Sequence, residues 1–267
     1  MESLKNKVAV VFAASGEIAG AVARSFAEHG AKVYVTGRNL ASVQQLAEEI
    51  IAAGGQSEAA QVDALNETEI EAFLQKVVSE NGKLNIVFNG IGSYYRDAGS
   101  GIPSTVVSFG QFLNPLQRIL GSQFLTSRIA AKLMIESKSE GTLLLFNASM
   151  AKTKTPNMAG FASACAGIEA LTRVLAAEFG KQGIKAICLC SGAIYESFKI
   201  TEMIHDFSEQ LGISREVMTA HYKQFDILST EPTLKKVAET AAFLVSENGV
   251  LFNSHIVDID CGKYNVL

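Results

Sequence analysis

The chain has 267 residues, 48% of them hydrophobic and 19% charged, with a formal net charge of −4. That length suits one large α/β core. The acidic balance, with no basic run, makes nucleic acid and anionic membrane surfaces unexpected partners. The first seven residues are polar and the apolar run 8–14 is too short to span a bilayer, so a cytoplasmic protein is expected.

Apolar runs at 8–13, 32–36, 58–62, 85–88, 142–147, 185–190 and 256–259 read as strands. Between them, amphipathic spacing predicts helices near 18–29, 40–53, 67–81, 114–137, 160–181 and 233–246. In the second helix, Leu40, Val43, Leu46, Ala47 and Ile50 share one stripe, and Gly54-Gly55 stops it. Strand–helix alternation of this kind predicts a doubly wound parallel sheet, Rossmann-like, of about seven strands with helices on both faces. No linker or repeat divides residues 1–267, so one domain is expected, with 193–231 as a lid-like insertion. Cys165, Cys188, Cys190 and Cys261 form no Cys-x-x-Cys pair and read as reduced core residues; Cys188 and Cys190 should share a strand face. His205 and His221 are too far apart, with no neighbouring ligand, to predict a metal site.

The turn after the first strand reads Phe12-Ala13-Ala14-Ser15-Gly16-Glu17-Ile18-Ala19-Gly20. A dinucleotide-binding turn needs glycines there, so that backbone can approach a pyrophosphate at a helix N-terminus. Alanine at either site is tolerable if φ stays negative. Glu17 either sets a carboxylate beside two phosphates or stabilises the first helical turn. The second strand ends at Arg38 without an acid, which suits a 2′-phosphate, although Arg38 reads equally as a solvated side chain. Later come Asn89-Gly90-Ile91-Gly92, then Tyr94-Tyr95-Arg96, then Asn114-Pro115 and Arg118 before Gly121. Asn114 reads as a helix N-cap ahead of Pro115. The fifth strand ends in Asn147-Ala148-Ser149, and the following helix carries Phe161 and Cys165. Lys152 and Lys154 between them read as solvated. The sixth strand leads into Ser191-Gly192-Ala193-Ile194-Tyr195-Glu196.

These motifs, over nearly the whole chain, resemble the short-chain dehydrogenase/reductase family. The first turn looks like that family's Gly-Ala-Ser-Gly-x-Ile-Gly loop with alanine at the first and third glycines. The resemblance implies cofactor contacts from Ser15, Gly16, Ile18, Arg38, Asp63, Asn89, Gly92, Gly192 and Ile194. Asp63 would lie near the adenine or serve as a plain turn residue; Asn89 and Gly92 would shape a turn beside the ribose. It also implies a catalytic serine at Ser149. The family's tyrosine, lysine and relay asparagine correspond to Phe161, Cys165 and Arg118. Phenylalanine has no proton to transfer, and a cysteine carries no positive charge at neutral pH. Glu196 replaces a threonine that grips the nicotinamide amide. Two functions follow. One is an oxidoreductase relative, NADP(H)-linked with weak or absent binding, that has lost the usual carbonyl chemistry. The other is a non-catalytic relative that binds a small, apolar ligand or a partner subunit. The lid's Phe198, Ile200, Met203, Ile204, Phe207, Leu211, Ile213, Met218, Tyr222, Phe225, Ile227 and Leu228 either line that ligand's pocket or seal a core. The family pattern and the small-residue face at Ala162, Ala166 and Ala170 imply a homotetramer.

Overall fold

A computed structural model describes residues 3–95, 97–224, 227–228 and 230–263. Arg96 and Phe225 lie outside the described residues. The seven strands are β1 (Val8–Phe12), β2 (Lys32–Gly37), β3 (Gln56–Gln61), β4 (Ile86–Asn89), β5 (Gly141–Ala148), β6 (Ile184–Ser191) and β7 (Ile256–Ile259). They pair in parallel in the order β3-β2-β1-β4-β5-β6-β7. All five residues of β1 are buried, as a central strand covered on both faces requires.

One face of the sheet carries α1 (Glu17–Glu28), α2 (Leu40–Ala52) and α9 (Leu234–Val245). The other carries α3 (Glu67–Asn81), α5 (Gly121–Glu136) and α6 (Ala159–Phe179). The stripe read for α2 holds, with Val43, Leu46, Ala47 and Ile50 buried and Leu40 left exposed at the helix start. The helical segment 159–182 is long and apolar enough to cross a membrane. It packs Ala164, Ile168, Leu175 and Ala176 into the core, so its apolar character belongs to the fold. Cys188 and Cys190 lie in the same core layer, and none of the four cysteines is in a disulfide.

The expected helix at 114–137 begins earlier. α4 (Phe109–Pro115) runs through a π-turn at Leu116–Leu120 into α5. Ser108 caps it in a capping box with Gln111. Asn114 is therefore no N-cap. It lies inside the helix, where its Oδ1 accepts a hydrogen bond from Ser93 Oγ at 2.7 Å. The wider π-turn follows Pro115, which has no N–H to give to the helical ladder. The segment 193–231, expected as a lid-like insertion, holds α7 (Phe198–Leu211) and α8 (Arg215–Lys223). Met203, Ile204 and Met218 form its own small core, with Tyr95, Ile200, Phe207 and Tyr222 packed against it. Phe198 and Leu211 remain exposed.

Candidate active site

Strand order reverses at β1 and β4, so a crevice opens at their carboxyl ends, where doubly wound folds bind ligands. There the structure places a cavity of about 150 Å³. Its walls bring together Ile18, Gly92, Phe161, Cys165, Gly192 and Ile194 of the residues expected from the sequence. Larger hollows of about 660 and 500 Å³ lie at the opposite ends of the strands, open and lined by charged groups, away from this crevice.

The positions of the family's tyrosine and lysine hold Phe161 and Cys165. Phe161 packs its ring against Tyr95, 5.9 Å between centroids. Cys165 is 1% exposed, and burial pushes its thiol up to about 12. Ser149 does not face the crevice. Its hydroxyl lies 3.7 Å from Cys190 Sγ, and Ala148 lines the cavity instead. The serine expected from the sequence is thus buried beside Cys190 and is not among the cavity's lining residues. Lys152 is not free either, because it forms an ion pair with Asp258 of β7. Burial opposes its charge, but Asp258 outweighs this and leaves the pKa raised. Lys154 is exposed.

The first turn departs from the condition set for its alanines. Ala13 has φ of 56°, the left-handed region where a Cβ costs roughly 1–2 kcal/mol. Ala19 is buried, and its methyl lies where a Cβ on Gly90 would come within 2.6 Å. Gly16 is the N-cap of α1 with no side-chain cap, and Ser15 is exposed beside it. Glu17 does more than stabilise its own helix. Its carboxylate crosses the crevice and accepts the Phe198 N–H at 2.7 Å. Ser197, the N-cap of α7, offers that helix no side-chain cap, since its hydroxyl donates to Ile194 O. Glu17 supplies the missing acceptor from 181 residues away.

Glu196 likewise leaves the crevice. Its carboxylate accepts the Leu234 N–H at the start of α9, so it does not occupy a nicotinamide position. Arg38 is exposed after β2. Asp63 Oδ1 accepts the Leu65 N–H at 3.0 Å, the geometry of a turn residue. Asn89 is buried and shapes its turn, accepting the Ile91 N–H at 2.9 Å and donating to Thr126 Oγ1 at 3.2 Å.

Sequence reasoning passed over Lys199. It begins α7, and its Nζ sits over the backbone of Gly92, where a Cβ would come within 2.5 Å. Lys199 is exposed as a residue, yet burial lowers its pKa, and the Arg118 guanidinium adds to this. Among the described residues it has no carboxylate ion-pair partner; its ammonium lies 5.6 Å from the Tyr94 ring centroid. Arg118, on the π-turn, has a buried Nε without a hydrogen-bond partner. Asn147 Oδ1, in the cavity wall, is buried and unpartnered as well. Only the proximity of Lys199 to the Gly192–Ile194 turn hinted at its place, and apolar periodicity is blind to a charged residue.

The fold and crevice define a Rossmann-like oxidoreductase scaffold, and the chain belongs to the short-chain dehydrogenase/reductase family. The matching family model, described as Enoyl-(Acyl carrier protein) reductase, spans residues 13–263. The chain is 26% identical to the Probable 2,4-dienoyl-CoA reductase of Bacillus subtilis over 98% of each protein. The crystal structure of sorbitol-6-phosphate 2-dehydrogenase from Erwinia amylovora superposes with a TM-score of 0.88 at 24% identity, covering 97% of this chain and 99% of that one. A variant actinorhodin polyketide ketoreductase solved with NADPH has a TM-score of 0.88 at 20% identity, covering 97% and 98%.

Three features of this chain bear on a nicotinamide dinucleotide at the crevice. Arg38 is free to meet a 2′-phosphate. The Glu17 carboxylate, on the first turn of α1, is held at the Phe198 N–H, and Lys199 lies on Gly92. The cavity of about 150 Å³ is smaller than the roughly 300 Å³ of the smallest pockets for drug-sized ligands.

Proposed function

We propose that this short-chain dehydrogenase/reductase has lost the family's carbonyl–alcohol interconversion and keeps the crevice as a ligand-binding site. The observation that carries the reading is the proton inventory at Phe161. Hydride transfer to a carbonyl leaves an alkoxide that needs a donor within about 3 Å. Phe161 has none, Cys165 is a buried thiol held neutral, and the Ser149 hydroxyl is turned onto Cys190. NADP(H) binds weakly or not at all, with NADP(H) preferred over NAD(H) because Arg38 has no acid beside it. That the related ketoreductase was solved with NADPH supports the preference.

The names of the matching family model and of the Bacillus relative favour a second reading, hydride delivery to a conjugated carbon–carbon double bond. That reaction develops an enolate, which a cation such as Lys199 stabilises without a tyrosine. Titration with NADPH, NADP, NADH and NAD, then turnover of a carbonyl and enoyl panel, separates the readings. Saturable ketone reduction overturns the first. Enoyl reduction alone establishes the second.

A further inference from the structure

We propose that the crevice binds a small organic carboxylate, its apolar body in the cavity and its charge held by Lys199 beside Arg118. The inference rests on the crevice being a ligand site. It is independent of whether carbonyl chemistry is lost, because it is read by binding and not by turnover.

Two cations standing together with no anion between them are destabilised, and a bound anion relieves both. Lys199 lines the cavity with its Nζ on the backbone of Gly92, Arg118 on the neighbouring π-turn keeps a buried Nε without an acceptor, and among the described residues neither is in an ion pair with a carboxylate; burial first, and the Arg118 guanidinium second, lower the Lys199 pKa. Glu17 and Glu202 also act on Lys199, in the opposite direction, but their combined effect does not restore its pKa. Glu17 is already engaged at the Phe198 N–H. Buried polar atoms are nearly always hydrogen-bonded, so exceptions need an explanation. Arg118 Nε is a donor without an acceptor, and Asn147 Oδ1 is an acceptor without a donor.

The body of the ligand follows from the cavity. Ile91, Tyr95, Ile119, Phe146, Phe161 and Ile200 make its walls largely apolar. At about 150 Å³ it matches the size of a dry cavity that accepts benzene. A diphosphate is disfavoured by charge, since the Glu17 carboxylate stands on the first turn of α1. A monocarboxylate with a body of benzene size, or a short acyl chain, suits both ends. The Asn147 carboxamide gives a place to a hydroxyl or amide N–H on that body.

The test is calorimetric titration of the full chain, without nucleotide, using benzoate, benzyl alcohol and inorganic phosphate. Benzoate should bind at least tenfold more tightly than benzyl alcohol, which has the body without the charge. It should also bind tenfold more tightly than phosphate, which has charge without the body. Lys199→Gln should lose at least tenfold in benzoate affinity with benzyl alcohol unchanged, and Lys199→Arg should recover most of the loss. Thermal unfolding of each variant checks that the fold is intact. Equal affinity for benzoate and benzyl alcohol overturns the proposal. So does a folded Lys199→Gln that binds benzoate unchanged. Phosphate binding as tightly as benzoate overturns the assignment of an apolar body and leaves a simple anion site.

Discussion

The bridge from Glu17 to α7 makes a quantitative demand. Glu17→Ala removes the acceptor of the Phe198 N–H, and Ser197 does not cap in its place. Losing an N-cap costs about 0.5–2 kcal/mol. Glu17 is exposed, so about 1 kcal/mol is expected, a fivefold shift in an equilibrium. The cost should fall on the lid rather than on the whole fold, because α7 packs on its own small core of Met203, Ile204 and Met218. Hydrogen exchange should therefore show amides in the first two turns of α7 opening about fivefold more often, with β1 and β5 unchanged. Glu17→Gln keeps a carbonyl acceptor and removes the charge, so α7 should stay nearly as protected. Both variants remove a like charge from the phosphate path, worth about 1 kcal/mol at 4 Å in water, so NADPH should bind each about fivefold more tightly. Unchanged α7 protection in Glu17→Ala refutes the bridge as a support of the lid. Unchanged NADPH affinity in both variants refutes the charge argument.

Phe161→Tyr with Cys165→Lys should not restore ketone reduction, since Lys199 still lines the crevice and Arg118 still holds the relay position on the π-turn; steady-state turnover with NADPH decides this, and turnover by the unmodified chain would point to Tyr95, which packs on Phe161. Arg38→Asp should not improve NADP binding, and tighter binding of NAD than NADP by the unmodified chain would contradict the role given to Arg38. Burial holds Cys165 and Cys190 near about 12, above an unfolded thiol at about 8.5. The unfolded chain then releases thiol protons first, so stability should fall as pH rises from about 9 towards 12, seen as a falling midpoint in urea melts. A constant midpoint over that window would contradict the buried thiols. Light scattering at micromolar concentration should give a homotetramer, and a monomer counts against it.

Most of the fold was legible because its signals are local. Buried runs such as Thr142–Phe146 and the stripe of α2 follow from burial and periodicity along a few residues. The start of α4 was missed because Pro115 suggested a first helical position, while the Ser108–Gln111 box was the real one. The site was legible by position and not by direction. Phe161 and Cys165 lie where the motif puts them, but one residue decides whether Ser149 or Ala148 faces the cleft. The partners of Glu17, Glu196 and Lys152 are 181, 38 and 106 residues away. No spacing rule reaches that far, and each of these side chains was bound to a group the sequence does not place beside it.

The contact between Ala19 and Gly90 turns two separate departures into one. The family loop that the first turn resembles has glycine where Ala19 stands, and Asn89-Gly90-Ile91-Gly92 resembles the family's Asn-Asn-Ala-Gly, with its second asparagine at the position of Gly90. Here the side chain stands at 19 and is missing at 90, and a Cβ on Gly90 would meet the Ala19 methyl at 2.6 Å. The order of any return is then constrained. A side chain restored at 90 first collides with Ala19, at a cost of about 1–3 kcal/mol for overpacking. Glycine restored at 19 first leaves a methyl-sized gap and a more flexible helix, about 1 kcal/mol. Each single step runs uphill and only the pair is level. The altered loop is thus held in place by its neighbour, a ratchet set in packing, whatever ligand the crevice now serves.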